Sequence, residues 1–255
     1  MSSFLNGLRA AIDRTFIVQD RYKMFLEGFG RTLLLTVGAL LLGVLVGVMV
    51  AVIRVYCYQA QPKPLGKACK GFFTTGRLFW LRHIGLRLLD GLMNLYLTLF
   101  RGTPVVVQLM IWSFVVLTST NDVLVAIIGL GINSGAYVAE IVRAGIMAVD
   151  KGQTEAGRSL GLSAWTTMRL IVLPQAFKNV LPALGNECIS LLKETSIVGY
   201  IAVVDLTKAA ALVRARTFDA FFPLLCVAAV YLTLVLLLSS LQAQLEKHLR
   251  ASDRK

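Results

Sequence analysis

Long uncharged stretches alternate with short charged ones along the chain. Between Arg31 and Arg54, the run from Thr32 to Ile53 has 22 residues without a charge. At about 1.5 Å per residue, a helix of that length crosses a hydrocarbon core about 30 Å thick. Similar runs predict spans at 102–121, 123–145 and 220–241, the last ending where Gln242 and Gln244 follow Leu241. A further span is expected at 184–204. It carries Glu187, Lys193 and Glu194, which hydropathy penalises, but Ile197 to Val204 is apolar and prolongs a helical pattern from Leu184. The pattern therefore predicts an all-α integral membrane protein with five transmembrane helices.

Charge orients these spans. With five of them, 17 of the 26 Lys and Arg residues fall on one side, in segments 54–101 and 143–178 and in the tail after Leu245, while eight fall on the other. The positive-inside rule makes the first side cytoplasmic, so the N-terminus is expected outside and the C-terminus inside. Residues 1–31 then form an extracytoplasmic or interfacial segment, with Phe4, Leu5, Leu8, Ile12 and Phe16 at helical spacing. They contain no compact apolar stretch ending in small residues, so no removable signal peptide is expected. Residues 54–101 are expected as a basic cytoplasmic loop, 146–178 as a second cytoplasmic loop and 246–255 as a cytoplasmic tail.

Composition agrees with a bilayer protein. Of 255 residues, 56% are hydrophobic and 16% charged, with a mean hydropathy of +0.71; soluble domains have roughly 45–50% apolar and about 25% charged residues. Soluble, fibrous and disordered classes are excluded. The net charge of +12 is accounted for by basic cytoplasmic loops, so no nucleic-acid partner is expected. Cys57, Cys69, Cys188 and Cys226 have no CxxC spacing and are expected as reduced packing residues. His83 and His248 are too few for a histidine-based metal centre.

The informative stretch lies in the second loop: Gln153-Thr154-Glu155-Ala156-Gly157-Arg158-Ser159-Leu160-Gly161, then Ile171-Val172-Leu173-Pro174. Ala156 and Gly157 are small enough to let another surface approach closely, and Gly161 is a left-handed helix stop. Ser163 is expected to cap a second helix, with Pro174 breaking or redirecting the chain before the next span. The result is a helix–turn–helix elbow across the membrane face. On physical grounds alone, a surface loop with ordinary caps is the favoured reading, because such caps are common.

Glu155-Ala156-Gly157, Gly161 and Ile171-x-Leu173-Pro174 resemble the EAA loop of ABC importer permeases. Arg101-Gly102-Thr103-Pro104 with Gln108, Asn133 to Ile141, and Leu192-Lys193-Glu194-Thr195-Ser196 resemble the polar amino acid uptake branch of that family. The order of elements from about Gly30 to Leu245 is similar to its five-span core, which implies a type I importer permease fold over residues 32–245. There are two departures. Gly157 stands where the family usually has alanine, and the first cytoplasmic loop is long. From Arg54 to Arg87 it has 34 residues, seven basic and none acidic, with Phe72, Phe73, Phe79 and Trp80 interleaved. Topological charge bias or an amphipathic segment on anionic membrane lipid both account for it.

The resemblance implies that Gln153, Glu155, Ala156, Gly157, Gly161, Leu173 and Pro174 couple this chain to a separate ATPase. The implied assembly has two ABC ATPase subunits, a second permease chain, identical or related, and an extracytoplasmic solute-binding protein, set in a bacterial cytoplasmic (inner) membrane. No GxxxxGK[ST] phosphate loop occurs in the sequence, so ATP and Mg are expected on the partner, with no cofactor and no catalytic residue in this chain. The SxxK of Ser190 to Lys193 lacks the companion motifs of serine acyl-enzymes.

Intramembrane polar residues are the candidates for the substrate path. Asn133, Tyr137 and Glu140 share one helical face; Glu187, Ser190 and Glu194 share another, overlapped by a stripe of Asn186, Ser190 and Lys193. Carboxylates there would take a substrate ammonium, and Lys193 with Thr195 and Ser196 its carboxylate. The competing reading pairs Glu140 with Lys193, or Glu187 with a basic residue, to hold helices together. Gly38, Gly43 and Gly47 form a small-residue track that marks contact with another helix of this chain or of its partner. An ion-coupled secondary amino acid transporter acting without an ATPase is the alternative function, and it has no use for the elbow.

Overall fold

In the computed structural model, the described residues are 7, 9–60 and 77–252, with side chains described for 7, 9–57 and 84–249. Among them the chain is helical without strands. The helices are α1 (Tyr22–Ala60), α2 (Arg77–Gly102), α3 (Val105–Ile111, continued by a π turn Trp112–Val116) and α4 (Asp122–Met147). They are followed by α5 (Lys151–Ser159), α6 (Ala164–Thr167), α7 (Leu173–Glu194), α8 (Leu206–Thr217) and α9 (Phe221–Ser252). Three helices, α1, α4 and α9, are long and apolar enough to cross a membrane singly. Two bent pairs meet the same length and composition together: Ile84–Gly102 with Val105–Val116, bent by 110°, and Ala164–Ile201 with Leu206–Thr217, bent by 49°. Five spans result when each pair counts as one.

Reading residues 54–101 as one loop is therefore corrected. α1 continues to Ala60, and α2 contributes the first limb of the second span, of which 102–121 is only the second limb. Arg87, Asp90 and Arg101 disguise α2 as a loop, although Asp90 turns inward toward Arg54. Residues 205–219 hold the helix α8, and α9 runs through the boundary drawn at Leu245. Residues 61–76 lie outside the described residues, as do the side chains of Phe72, Phe73, Phe79 and Trp80. The same is true of Phe4, Leu5, Leu8 and Cys69. Phe16 packs against Phe25 with ring centroids 5.2 Å apart.

α1 and α4 lie together along a reciprocal track of small residues. A Cβ added to Gly47 would sit 2.6 Å from Val138, and one on Gly43 would sit 3.0 Å from Ser134 Oγ. From the other side, a Cβ on Gly131 would meet Leu42 at 2.8 Å. The glycine track of α1 is thus a contact within this chain, where missing side chains let two backbones approach. Leu35, Ala39, Leu109, Val125, Leu130 and Leu191 bury the central core between these helices, α3 and α7. α9 lies at the perimeter: 11% of its most apolar window is buried, against 61% in α4.

α4 crosses α7 where Gly145 meets Val180, and a Cβ there would lie 2.3 Å from the valine methyl. At the end of α7 the helix tightens over Thr195–Ile201, and Ala202 takes a left-handed conformation at φ 63°. Buried Asp205 then restarts the helix, accepting the amide N–H of Thr207 and of Lys208 at 2.9 Å each as N-cap of α8.

Candidate functional site

The elbow is built from caps. Asp150 Oδ1 accepts the Gly152 amide at 2.9 Å and opens α5. Gly161 closes it at φ +82°, its N–H bonding the Arg158 carbonyl, while Leu162 N–H returns to the Gly157 carbonyl. That pair of bonds is a Schellman motif, which needs a residue free to turn left-handed. Ser163 Oγ then accepts the Thr166 amide at 3.1 Å and starts α6. Gly157 is the buried member of α5, because a Cβ there would lie 2.8 Å from Thr167 Cγ2 and 2.9 Å from Ile171 Cδ1. Glycine at this position is a packing requirement between the arms of the elbow.

Pro174 does not break the chain. A π turn at Met168–Val172 leads directly into α7, with the Leu173 N–H returning five residues to the Met168 carbonyl. The wider turn absorbs the donor that proline lacks, so the second arm and the fourth span are one lever. Gln153, Glu155, Ala156, Gly161, Leu173 and Pro174 are all exposed on this elbow. Leu160 is 80% exposed and Trp165 70% exposed beside them. Those two apolar knobs were absent from the expected set; their signal was their position on either side of the Gly161 and Ser163 caps.

The expected polar face of α4 divides into three separate environments. Asn133, 3% exposed, donates through Nδ2 to the Phe100 carbonyl at 2.9 Å and to Gln108 Oε1 at 2.8 Å. Gln108 Nε2 bonds the Phe100 carbonyl at 3.0 Å and Thr103 Oγ1 at 2.7 Å. These side chains satisfy backbone acceptors at the break between α2 and α3, where an unpaired carbonyl in a membrane costs several kcal/mol, roughly. Tyr137 lies under Arg101, 5.5 Å from ring centroid to guanidinium. Glu140 is held by Arg143, whose Nε donates to Oε2 at 3.0 Å and whose Nη2 reaches Oε1, and Arg54 Nη1 is 3.9 Å away. Its partners are thus arginines, and the pairing with Lys193 is not formed.

On α7, Glu187 is half-buried and accepts a 2.7 Å bond from Ser134 Oγ of α4. Ser190 and Glu194 are half-buried on the same face, and Lys193 is exposed. Thr195 and Ser196 spend their hydroxyl hydrogens on the carbonyls of Leu192 and Lys193, both at 2.7 Å, which removes them as free donors. Asn186, of the overlapping stripe, is engaged elsewhere: its Oδ1 accepts from Gln242 of α9 at 3.1 Å. Ser134 was missed as a candidate, although it adjoins Asn133 in the sequence. Among the described residues, no group of three or more His, Cys, Asp or Glu side chains converges, and Cys57, Cys188 and Cys226 are free thiols.

Four similarities to known proteins bear on this arrangement. The profile of the family described as "Binding-protein-dependent transport system inner membrane component" matches residues 84–251. The arginine transport system permease protein ArtQ of Bacillus subtilis (strain 168) is 33% identical over 232 residues, covering 89% of this chain and 93% of its own. The glutamine transport system permease protein GlnP of Escherichia coli (strain K12) is 39% identical over 160 residues, covering 61% and 73%. A solved structure described as "Crystal structure of an amino acid ABC transporter with histidines" superposes with a TM-score of 0.74 at 35% identity, covering 91% of this chain and 98% of that one.

Proposed function

Because the chain belongs to the family of binding-protein-dependent transport system inner membrane components, we propose that it forms the translocation path of an ATP-driven importer of polar amino acids. Relatives named for arginine and glutamine transport support the substrate class. The working assembly has two ATPase subunits carrying ATP and Mg, a second permease chain and an extracytoplasmic solute-binding protein. The elbow faces the cytoplasm with the C-terminus, and the N-terminus lies outside.

The observation that carries this reading is the rigid connection from the elbow to the polar face of α7. Leu160 and Trp165 offer an apolar contact to an ATPase cleft, beside Gln153 and Glu155. Gly157 packed on Thr167 locks α5 to α6, and the π turn carries α6 into α7 without a hinge residue. A push on the elbow therefore turns the helix that bears Glu187, Ser190, Lys193 and Glu194. In this reading Glu187 and Glu194 take the substrate ammonium and Lys193 its carboxylate, while Asn133 maintains the bend of the neighbouring span.

The test is uptake of radiolabelled glutamine and arginine into vesicles holding this chain, its ATPase, its partner permease and its binding protein. Accumulation should require ATP and every component. Accumulation by this chain alone would establish the carrier alternative instead.

A further inference from the structure

At the end of the bundle from which the elbow emerges, α1, α2 and α4 border an open cavity of about 370 Å³. It is lined by Arg54, Asn94, Thr98, Arg101 and Glu140, with Leu97 as an apolar wall. Its charges do not balance. Glu140 is engaged by Arg143, and Asp90 Oδ1 lies 3.6 Å from Arg54 Nε, which is buried and has no hydrogen-bond partner among the described residues. Arg101 makes no ion pair among the described residues and rests on the Tyr137 ring. Among the described residues, two guanidinium groups and one carboxylate line the cavity, and the neighbouring Arg143 and Asp90 offset each other, so one positive charge is left over in a partly apolar setting, where an uncompensated charge recruits a counter-ion.

The donor set selects among anions. A zwitterionic amino acid would need a free carboxylate for its ammonium, and both carboxylates here already belong to arginines. A phosphodiester needs donors only: guanidinium forks, the Asn94 amide and the Thr98 hydroxyl. Beside the cavity, α2 carries an exposed apolar stripe of Leu88, Leu92, Leu95 and Leu99, against which acyl chains can lie. Seven basic residues and no acidic one lie between 54 and 87 in the sequence, a composition that favours anionic lipid. We infer that this cavity binds the phosphodiester headgroup of an anionic phospholipid, with Arg101 and Arg54 as its principal contacts. Such a lipid would brace α2 against α1 and α4 just before the 110° bend.

The test is native mass spectrometry of the full chain, purified in detergent and titrated with phosphatidylglycerol or with phosphatidylcholine. The unmodified protein should retain phosphatidylglycerol in clear preference to phosphatidylcholine. Arg101→Gln should weaken that retention roughly fivefold, the loss of one basic contact near a lipid surface. Arg101→Lys should restore most of it, and Arg216→Gln, in α8, should leave it unchanged. Equal retention of both lipids by the unmodified protein would overturn the proposal, whatever becomes of the variants. So would undiminished retention by Arg101→Gln, or displacement of the lipid by millimolar inorganic phosphate, which would make the occupant a free anion. Neither nucleotide nor amino acid is present, so failure here leaves the transport reading untouched.

Discussion

Asn133 and Gln108 meet side chain to side chain at 2.8 Å, and both amides also donate to the carbonyl of Phe100. Together they hold the turn at Gly102–Pro104, where the second span changes direction by 110°. Replacing Asn133 with leucine, close to it in size, removes two bonds and leaves Gln108 Oε1 bare. An unsatisfied buried polar group costs about 1–3 kcal/mol. Thermal unfolding of Asn133→Leu in detergent should show a loss of that order, while the KM for uptake by surviving protein stays close to that of the unmodified chain. A raised KM with unchanged stability would return Asn133 to the substrate path.

The contact between Gly157 and Thr167 can be tested by rescue. In α5, Gly157→Ala gains up to about 1 kcal/mol of helix propensity but brings the new methyl to 2.8 Å from Thr167 Cγ2. Thr167 is buried and β-branched, so its methyl cannot rotate away freely. Gly157→Ala should therefore reduce ATP-dependent uptake, and adding Thr167→Ser, which deletes that methyl, should recover most of it. Gly157→Leu should separate the arms and abolish coupling, with the helix content by circular dichroism unchanged. Failure of the double variant to recover uptake would place the constraint at Ile171 or outside the elbow.

The elbow was legible in the sequence because its determinants are local: Gly161 and Ser163 set helix ends through bonds to neighbours within a few residues, as does Asp150, whose cap only the structure showed. The long spans α1, α4 and α9 were legible for the same reason, since an uncharged run needs no knowledge of its partners. Relations between helices were not. The charges of α2 read as a loop until Asp90 and Arg101 were seen to face Arg54 and Glu140, and Glu140 found arginines where Lys193 was an equal candidate by sequence. Pro174 was expected to interrupt the chain, but a π turn five residues long absorbs it. Thr195 and Ser196 counted as free donors because a sequence does not record which hydroxyls a helix end has already taken.

Exposed apolar side chains on an otherwise polar elbow make a second kind of prediction. Leu160 and Trp165 expose more than two thirds of their surface, as expected of anchors for a partner rather than of core residues. Trp165→Ala should weaken co-purification of the ATPase subunit, by about 2 kcal/mol if tryptophan acts as an interfacial hot spot, which is roughly thirtyfold in affinity. Leu160→Asp should do the same while improving the solubility of the isolated chain. Unchanged ATPase binding in both variants would move the docking surface elsewhere.

Glu187 separates substrate contact from helix pairing, because one substitution changes its charge and preserves its hydrogen bond. Its Oε1 accepts from Ser134 Oγ at 2.7 Å, and the amide oxygen of Glu187→Gln can accept the same bond. A purely structural role would leave the variant nearly as active as the original, with stability within about 1 kcal/mol, the net worth of a typical hydrogen bond. A role in holding the substrate ammonium requires the negative charge, and charge-assisted bonds contribute about 1.5–3 kcal/mol. Glu187→Gln should then raise the KM for amino acid uptake by roughly ten- to a hundredfold at unchanged melting temperature. Ser134→Ala should show the converse, a lowered melting temperature with KM almost unaffected. Glu194→Gln, two helical turns further along the same face, should alter substrate-stimulated ATP hydrolysis more than protein abundance. Equal losses of stability and transport in all three variants would assign this face of α7 to helix packing and leave the path to residues contributed by the second permease chain.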